Sequence, residues 1–280
     1  DMPARRDLLE LFTRSAGDML DHWFESEPIK AAFGFDAVVG NFASPYSAGS
    51  AYVLLHHAFG EVNGRQGAWG HAIGGMGAIS QALAKEAASH GVEIITGVAV
   101  ARVITRAGRA QGVALADGSE LQARAVIGNL HPQLLYLKLV EASELEPDFR
   151  ARMERWQSGS GSLRMNVALS ELPDFSCAPG TNPQPHHSSG IIMAPSLAYM
   201  DRAYDDAKRE GMSREPIVEI LIPSTLDDTL APRGLHVASL FCQQFNPKLP
   251  DGRSWDERRE EAADLIIATV TKYAPNFQRS

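Results

Sequence analysis

Cysteine is nearly absent: Cys177 and Cys242 are the only two in 280 residues. They form no CxxC pair and match no metal-ligand spacing, which excludes a zinc ribbon or a disulfide framework as the basis of the fold. A reduced, cytoplasmic compartment is the simplest reading, with one disulfide left open. Long hydrophobic runs are missing too. The stretch ADLIIATV, residues 263–270, is far short of the roughly 20 residues that cross a bilayer. The opening DMPARRDLLELF is charged and lacks the apolar core of a signal peptide. It does not begin with Met, so the native start is left open. Excess positive charge is also lacking. The net charge of −8, with no basic stripe interleaved with aromatics, excludes a nucleic-acid surface.

Side-chain motifs for catalysis are equally scarce. HExxH spacing is absent, and His56–His57 are helix neighbours that point to different faces, so no metal site is expected. His186–His187 fall in a Pro-rich loop. Gly159–Leu163 reads GSGSL, misses the G-x-S-x-G elbow and precedes a strand, so it is expected to be a turn. The adjacent acids Asp205–Asp206, Asp227–Asp228 and Glu260–Glu261 are expected on solvated faces. No catalytic residue is assigned.

What is present is an ordinary globular composition, 44% hydrophobic and 21% charged, with length for one large domain or two smaller ones. Residues 4–24 have helical spacing, with Gly17 as a break. Residues 44–60 predict a second helix with Ser44 as N-cap and Pro45 in its first turn. The glycine-rich 61–75 predicts a loop. Helix 76–90 carries Ile79, Leu83 and Ala87 on one face and ends at Gly91. Three β-runs follow at 92–105, 110–118 and 120–129, with Asp117–Gly118 as a hairpin signal. Beyond them, helices are expected at 131–140, 148–156, 196–211 and 254–274. Arg258, Arg259, Glu260 and Glu261 lie opposite the apolar stripe of the last helix. Strands are expected at 161–172, 189–195, 216–224 and 234–245, with an irregular loop at 174–190. The fold class is α+β: a mixed or antiparallel sheet with helices, plus a helix and three-stranded meander.

The glycines before helix 76–90 pose a specific question. A dinucleotide fingerprint needs a strand, G-x-G-x-x-G and a helix. Here Ser80 replaces the third glycine, and a loop precedes the turn. Glu93 lies inside the next strand, where a ribose-binding acid does not belong. The residues themselves favour close backbone approach at Gly74 and Gly75 over phosphate binding.

The order and spacing of several short motifs resemble phytoene desaturase-like flavoproteins, within the superfamily that includes flavin amine oxidases. They are Gly74-Gly75-Met76, Gly91, Val100–Val103, Gly112-Val113 with Leu115 and Asp117-Gly118, and Ala123–Asn129. Val103 stands where Ile is usual. Residues 33–64 resemble a subgroup of the same family, and the stronger likeness covers about 140 residues. Complete members begin with a strand–GxGxxG–helix and end with a second glycine-rich segment near the flavin. Neither is present, so the chain is expected to be an internal fragment.

The resemblance implies FAD as cofactor in the parent protein, with weak or absent binding by this chain alone. It implies that Val100 backbone groups meet the adenine end of FAD, with Gly74, Gly75 and Asn129 nearby. It implies three regions: 1–73 as a helical part of the substrate side, 74–129 as a partial FAD-binding domain, and 130–280 as the rest of the substrate side. The implied activity is hydride transfer from a largely apolar small molecule to flavin. A non-catalytic partner-binding module, and a lipid- or polyene-binding protein, stand as alternatives. Peripheral membrane contact and self-association are left open.

Overall fold

The computed structural model describes residues 2–68 and 70–280. Asp1, in the charged opening segment, and Trp69, in the predicted 61–75 loop, lie outside the described residues. The chain begins with α1 (Met2–Thr13), α2 (Ala16–Trp23), α3 (Glu27–Asp36) and α4 (Ser50–Ala58). The break in the first helical run falls at Ser15, not at Gly17. The Ser15 hydroxyl caps α2 by accepting from the Asp18 N–H at 3.0 Å. Gly17 instead sits in the first turn of α2, where a side chain would collide with the Tyr46 ring. The second helix starts later than Ser44. That hydroxyl accepts from the Tyr46 N–H at 3.0 Å and donates to Asp201 at 2.6 Å, which holds residues 44–49 in turns. The predicted loop 61–75 contains a small hairpin, β1 (Glu61–Val62) with β2 (Arg65–Gln66). Its turn is Asn63–Gly64, both at positive φ, the Asn-Gly pair that favours such turns.

Helix α5 (Met76–Ser89) forms as predicted and ends before Gly91 at φ +78°. Next come β3 (Val100–Arg106), β4 (Arg109–Leu115) and β5 (Glu120–Gln122), an antiparallel meander in that order. The outer β-runs are shorter than predicted. Among the described residues, 92–99 and 123–129 pair with no strand, apart from backbone bonds at their inner ends such as Ala123 N–H to Gln111 C=O at 2.8 Å. Their β-type composition is real, but a strand needs a neighbour to satisfy its backbone. Val92, Ile94 and Ile95 remain half exposed, and Ile127 is 94% exposed.

After the meander come α6 (Pro132–Leu134), which continues into a wide turn over Leu135–Leu139, and α7 (Pro147–Glu154). The last part holds β6 (Ser162–Leu169), β7 (Ile191–Met193), α8 (Leu197–Glu210), β8 (Met212–Leu221), β9 (His236–Phe245) and α9 (Trp255–Tyr273). The strands form one antiparallel sheet in the order β6-β9-β8-β7. The loop at 174–190 is irregular as expected, although His187 within it is fully buried. By contact the chain divides into two compact units: residues up to Ile79 with Gly159–Ser280, and Ser80–Ser158.

The four-stranded sheet has two covered faces, which follow from its period-two alternation. One face packs Val218, Ile220, Leu240 and Cys242 against Ala262, Ile266 and Val270 of α9. A capping box between Ser254 and Glu257 starts that helix. The other face packs Ile217 with Phe35, Leu197 and Met200 from α3 and α8. Ile217, Ile220 and Leu240 are fully buried, each contributing about 1.5–3 kcal/mol of transfer free energy. Burial pushes the Cys242 thiol up to about 12, which leaves it a packing residue and not a thiolate.

Asp206, Arg258 and Asp227, predicted on solvated faces, are buried instead. Asp206 is 7% exposed and accepts a forked pair of bonds from Arg214 at 2.8 and 3.1 Å. Arg258 is also 7% exposed. It grips Glu261 one turn on and donates to the Glu210 carbonyl at 3.0 Å, tying α9 to the end of α8. An exposed-looking charge was drawn inward by a partner distant in sequence.

Candidate functional site

The second sheet face is not completely filled by helices. In β8 the residues alternate, so Glu219 points away from the α9 side on which Val218 and Ile220 pack. Strand register sets Arg164 opposite Phe241, Phe241 opposite Glu219, and Glu219 opposite Ile192. A single row across all four strands therefore reads Arg164–Phe241–Glu219–Ile192. Over this row lies a cavity of about 640 Å³. Its apolar wall includes Phe35, Val39, Leu221, Ile222, Leu226 and Phe241, while Asp36, His57, Arg164 and Glu219, with His71, Ser188 and Ser189, are polar residues on the lining.

Each polar group is placed by a local cause. Asp36 is the last residue of α3, and His57 belongs to the last turn of α4. The His57 Nδ1 lies 3.0 Å from the Val53 carbonyl, which can only accept, so the ring carries its proton there and leaves Nε2 for another partner. Arg164 donates to the Ser239 hydroxyl at 2.7 Å and lies 5.0 Å from the centre of the Phe241 ring. Glu219 has room because residue 190 is glycine: a Cβ there would stand 3.0 Å from its Oε1.

The electrostatics of the two acids run the same way. Burial pushes the Asp36 carboxyl above the usual carboxylate range, against a smaller pull from His57. Burial and then the nearby Asp36 charge push Glu219 up, with Arg164 and His57 opposing. Among the described residues, neither carboxyl accepts a hydrogen bond from the protein.

A second polar cluster explains the glycine turn. Gly74 and Gly75 take φ of +83° and +74°, which suits residues without a Cβ. The Gly74 N–H donates to Asp227 Oδ2 at 2.6 Å. Asp227 also accepts from the Thr229 hydroxyl at 2.6 Å and the Thr229 N–H at 3.0 Å, and His71 Nε2 stands 3.6 Å away. Thr229 above all holds this carboxyl below its ordinary range. Asp227 is thus buried and bonded, not part of a solvated acidic face.

Gly74 and Gly75 belong to the first compact unit, whereas Val100 and Asn129 belong to the second. Val100 opens β3 opposite Leu115, and the ladder is irregular between Val100 and Arg102. Asn129 is exposed. No group of three or more His, Cys, Asp or Glu residues able to hold a metal occurs among the described residues. No helix among them is long and apolar enough to cross a membrane.

Residues 4–163 match the family described as flavin containing amine oxidoreductase. The chain belongs to that family. It is 42% identical over 277 residues to the pyridine nucleotide-disulfide oxidoreductase domain-containing protein 2 of Rattus norvegicus, covering 97% of this chain and 48% of that protein. It is 34% identical over 218 residues to a zeta-carotene-forming phytoene desaturase of Myxococcus xanthus, covering 77% of this chain and 37% of that one. The chain thus spans about half or less of the length of these relatives. An oxidoreductase from Methanosarcina mazei shares the fold with a TM-score of 0.60 at 16% identity, over 94% of this chain and 53% of that one. The phytoene desaturase-like resemblance and the α+β expectation both stand. Membership in this flavin family makes the chain part of a flavin-dependent oxidoreductase lineage.

The sequence missed Asp36, Arg164 and Glu219, and gave His57 no role. One signal was available: PIVEILIPS places a single acid in the middle of an apolar strand, where alternation aims it at one defined face.

Proposed function

We infer that this chain is the substrate-side half, with part of the cofactor domain, of an FAD-dependent oxidoreductase that oxidises a largely apolar molecule. Residues 74–129 are the cofactor-domain portion, and 1–73 with 130–280 form the substrate side. The observation that carries the reading is the large apolar-walled cavity over the sheet in a chain of this flavin family.

The residues fit FAD at one end and not at another. The irregular ladder at Val100–Arg102 leaves backbone groups out of regular pairing at an exposed strand end, suited to the edge of an adenine. Asn129 is an accessible amide on the same compact unit. The Gly74 N–H, however, is already engaged by the Asp227 carboxylate, which repels a pyrophosphate anion. Gly74 and Gly75 therefore shape the turn near the cofactor without cradling its phosphates, and this chain alone binds FAD weakly.

Bound FAD supplies the hydride acceptor. The chain's own residues bind and shield. The wall of Phe35, Val39, Leu226 and Phe241 excludes water from an apolar substrate, and Phe241 stands between Arg164 and Glu219 in the strand register, with the Arg164 guanidinium over its ring. Val92, Ile94 and Ile95, each half-exposed, and the exposed Ile127 are apolar side chains open to solvent that favour self-association of the isolated chain.

A visible absorbance scan of the purified full-length protein tests the reading. Bound flavin is expected, and Val100→Pro, which deletes one backbone N–H, should lower the flavin content. A colourless wild-type protein that takes up no added FAD defeats it.

A further inference from the structure

We propose that Glu219 and Asp36 make their part of the cavity a seat for the hydroxyl group of an otherwise apolar substrate. This rests on reading the cavity as the substrate site.

Three observations support it. First, the cavity is not uniformly apolar: Asp36 and Glu219 enter it from different elements, a helix end and the middle of a central strand. Second, both carboxyls lack protein hydrogen bonds among the described residues, although both are half-buried. A guest that displaces water from such groups must replace the water's hydrogen bonds, which a hydroxyl does and an alkyl chain does not. Third, the surrounding charges select the kind of group. A cation entering beside Glu219 meets the Arg164 guanidinium, which lines the same cavity. An anion meets the Asp36 carboxylate, and neither kind of ion finds an unopposed counter-charge, because the Arg164 guanidinium and the acids line the same cavity. A neutral hydroxyl meets neither penalty, and it both donates and accepts.

Burial raises the Glu219 carboxyl while Arg164 and His57 pull it down, and in either protonation state the carboxyl accepts a hydrogen bond from a hydroxyl. His57 Nε2, freed by the Nδ1 bond to Val53, provides one more position on the same wall. A plain hydrocarbon would leave all of these groups unpaired, so they discriminate against it.

Calorimetric titration of the full-length protein with probes of matched chain length tests the proposal: 1-octanol, octylamine, octanoate and octane. Octanol is expected to bind about tenfold or more tightly than each of the others, the size of one buried hydrogen bond. Glu219→Leu should abolish that preference, and Glu219→Gln, which keeps a donor and an acceptor, should retain most of it. Circular dichroism of each variant confirms that it folds, and Asp36→Asn, which likewise keeps a donor and an acceptor, should retain most of the preference while Asp36→Leu lowers it. Tighter binding of octylamine or octanoate, equal binding of all four, no binding of any, or an octanol preference that survives Glu219→Leu overturns the proposal. Flavin content, measured on the same samples, separates the two ideas. Flavin without octanol preference defeats the seat alone, and octanol preference without flavin defeats the oxidoreductase reading alone.

Discussion

Asp227 and Gly74 lie 153 residues apart in the chain and are joined at 2.6 Å, carboxylate oxygen to backbone N–H. The contact anchors the glycine turn that precedes α5 to the segment between β8 and β9. Asp227→Ala removes the acceptor for three donors: the Gly74 N–H and both groups of Thr229. The variant is expected to melt several degrees below wild type. Because Thr229 and the other donors depress the carboxyl, its stabilisation is present above the ordinary carboxylate range. It fades as pH falls through the depressed value. Thermal melts of both proteins from neutral pH downwards should therefore converge in acid.

Glu219 behaves with the opposite sign. Its carboxyl is raised by burial and by Asp36, so the folded state holds a proton that the unfolded chain releases. Stability falls as pH rises from the ordinary carboxylate range through the raised value. Glu219→Gln removes that slope. Its melting temperature should exceed that of wild type near neutrality and meet it in acid. A variant less stable than wild type at neutral pH contradicts this.

Arg258 joins α9 to the end of α8. Arg258→Ala frees the Glu210 carbonyl and leaves Glu261, which is more than half exposed, to be solvated. The loss is expected to be about 1–2 kcal/mol, less than for breaking a fully buried pair, because water reaches the abandoned acid. Denaturant unfolding with an unchanged m-value provides the measurement.

Leu240 lies at the centre of the sheet face that meets α9, with none of its surface exposed. Leu240→Ala should cost about 2–5 kcal/mol through lost burial and a residual cavity. Leu221, on the cavity side and 39% exposed, serves as the control: Leu221→Ala is expected to cost well under half as much.

Helix periods, caps and turn residues were legible because they are local. Ser254 with Glu257, Asp117–Gly118 and the apolar alternation of β6, β8 and β9 each act within a few residues. The partners of buried charges were not legible, because Asp227 and Arg258 find theirs far along the chain. Residues 92–99 and 123–129 failed differently. Their strand character is written in the sequence, but the neighbour a strand requires is not found among the described residues. The cavity stayed hidden because α3, α4 and three strands contribute its wall, and no short motif spans them.

The alternation of the central sheet separates two jobs onto two sides of one backbone. Positions 164, 219 and 241 face the hollow, while their immediate neighbours lock onto α9. Side chains at those three sites can be exchanged without disturbing the helix behind them. The hollow can therefore be re-lined for a differently shaped or differently polar guest by single replacements, on a scaffold that need not refold to accept them.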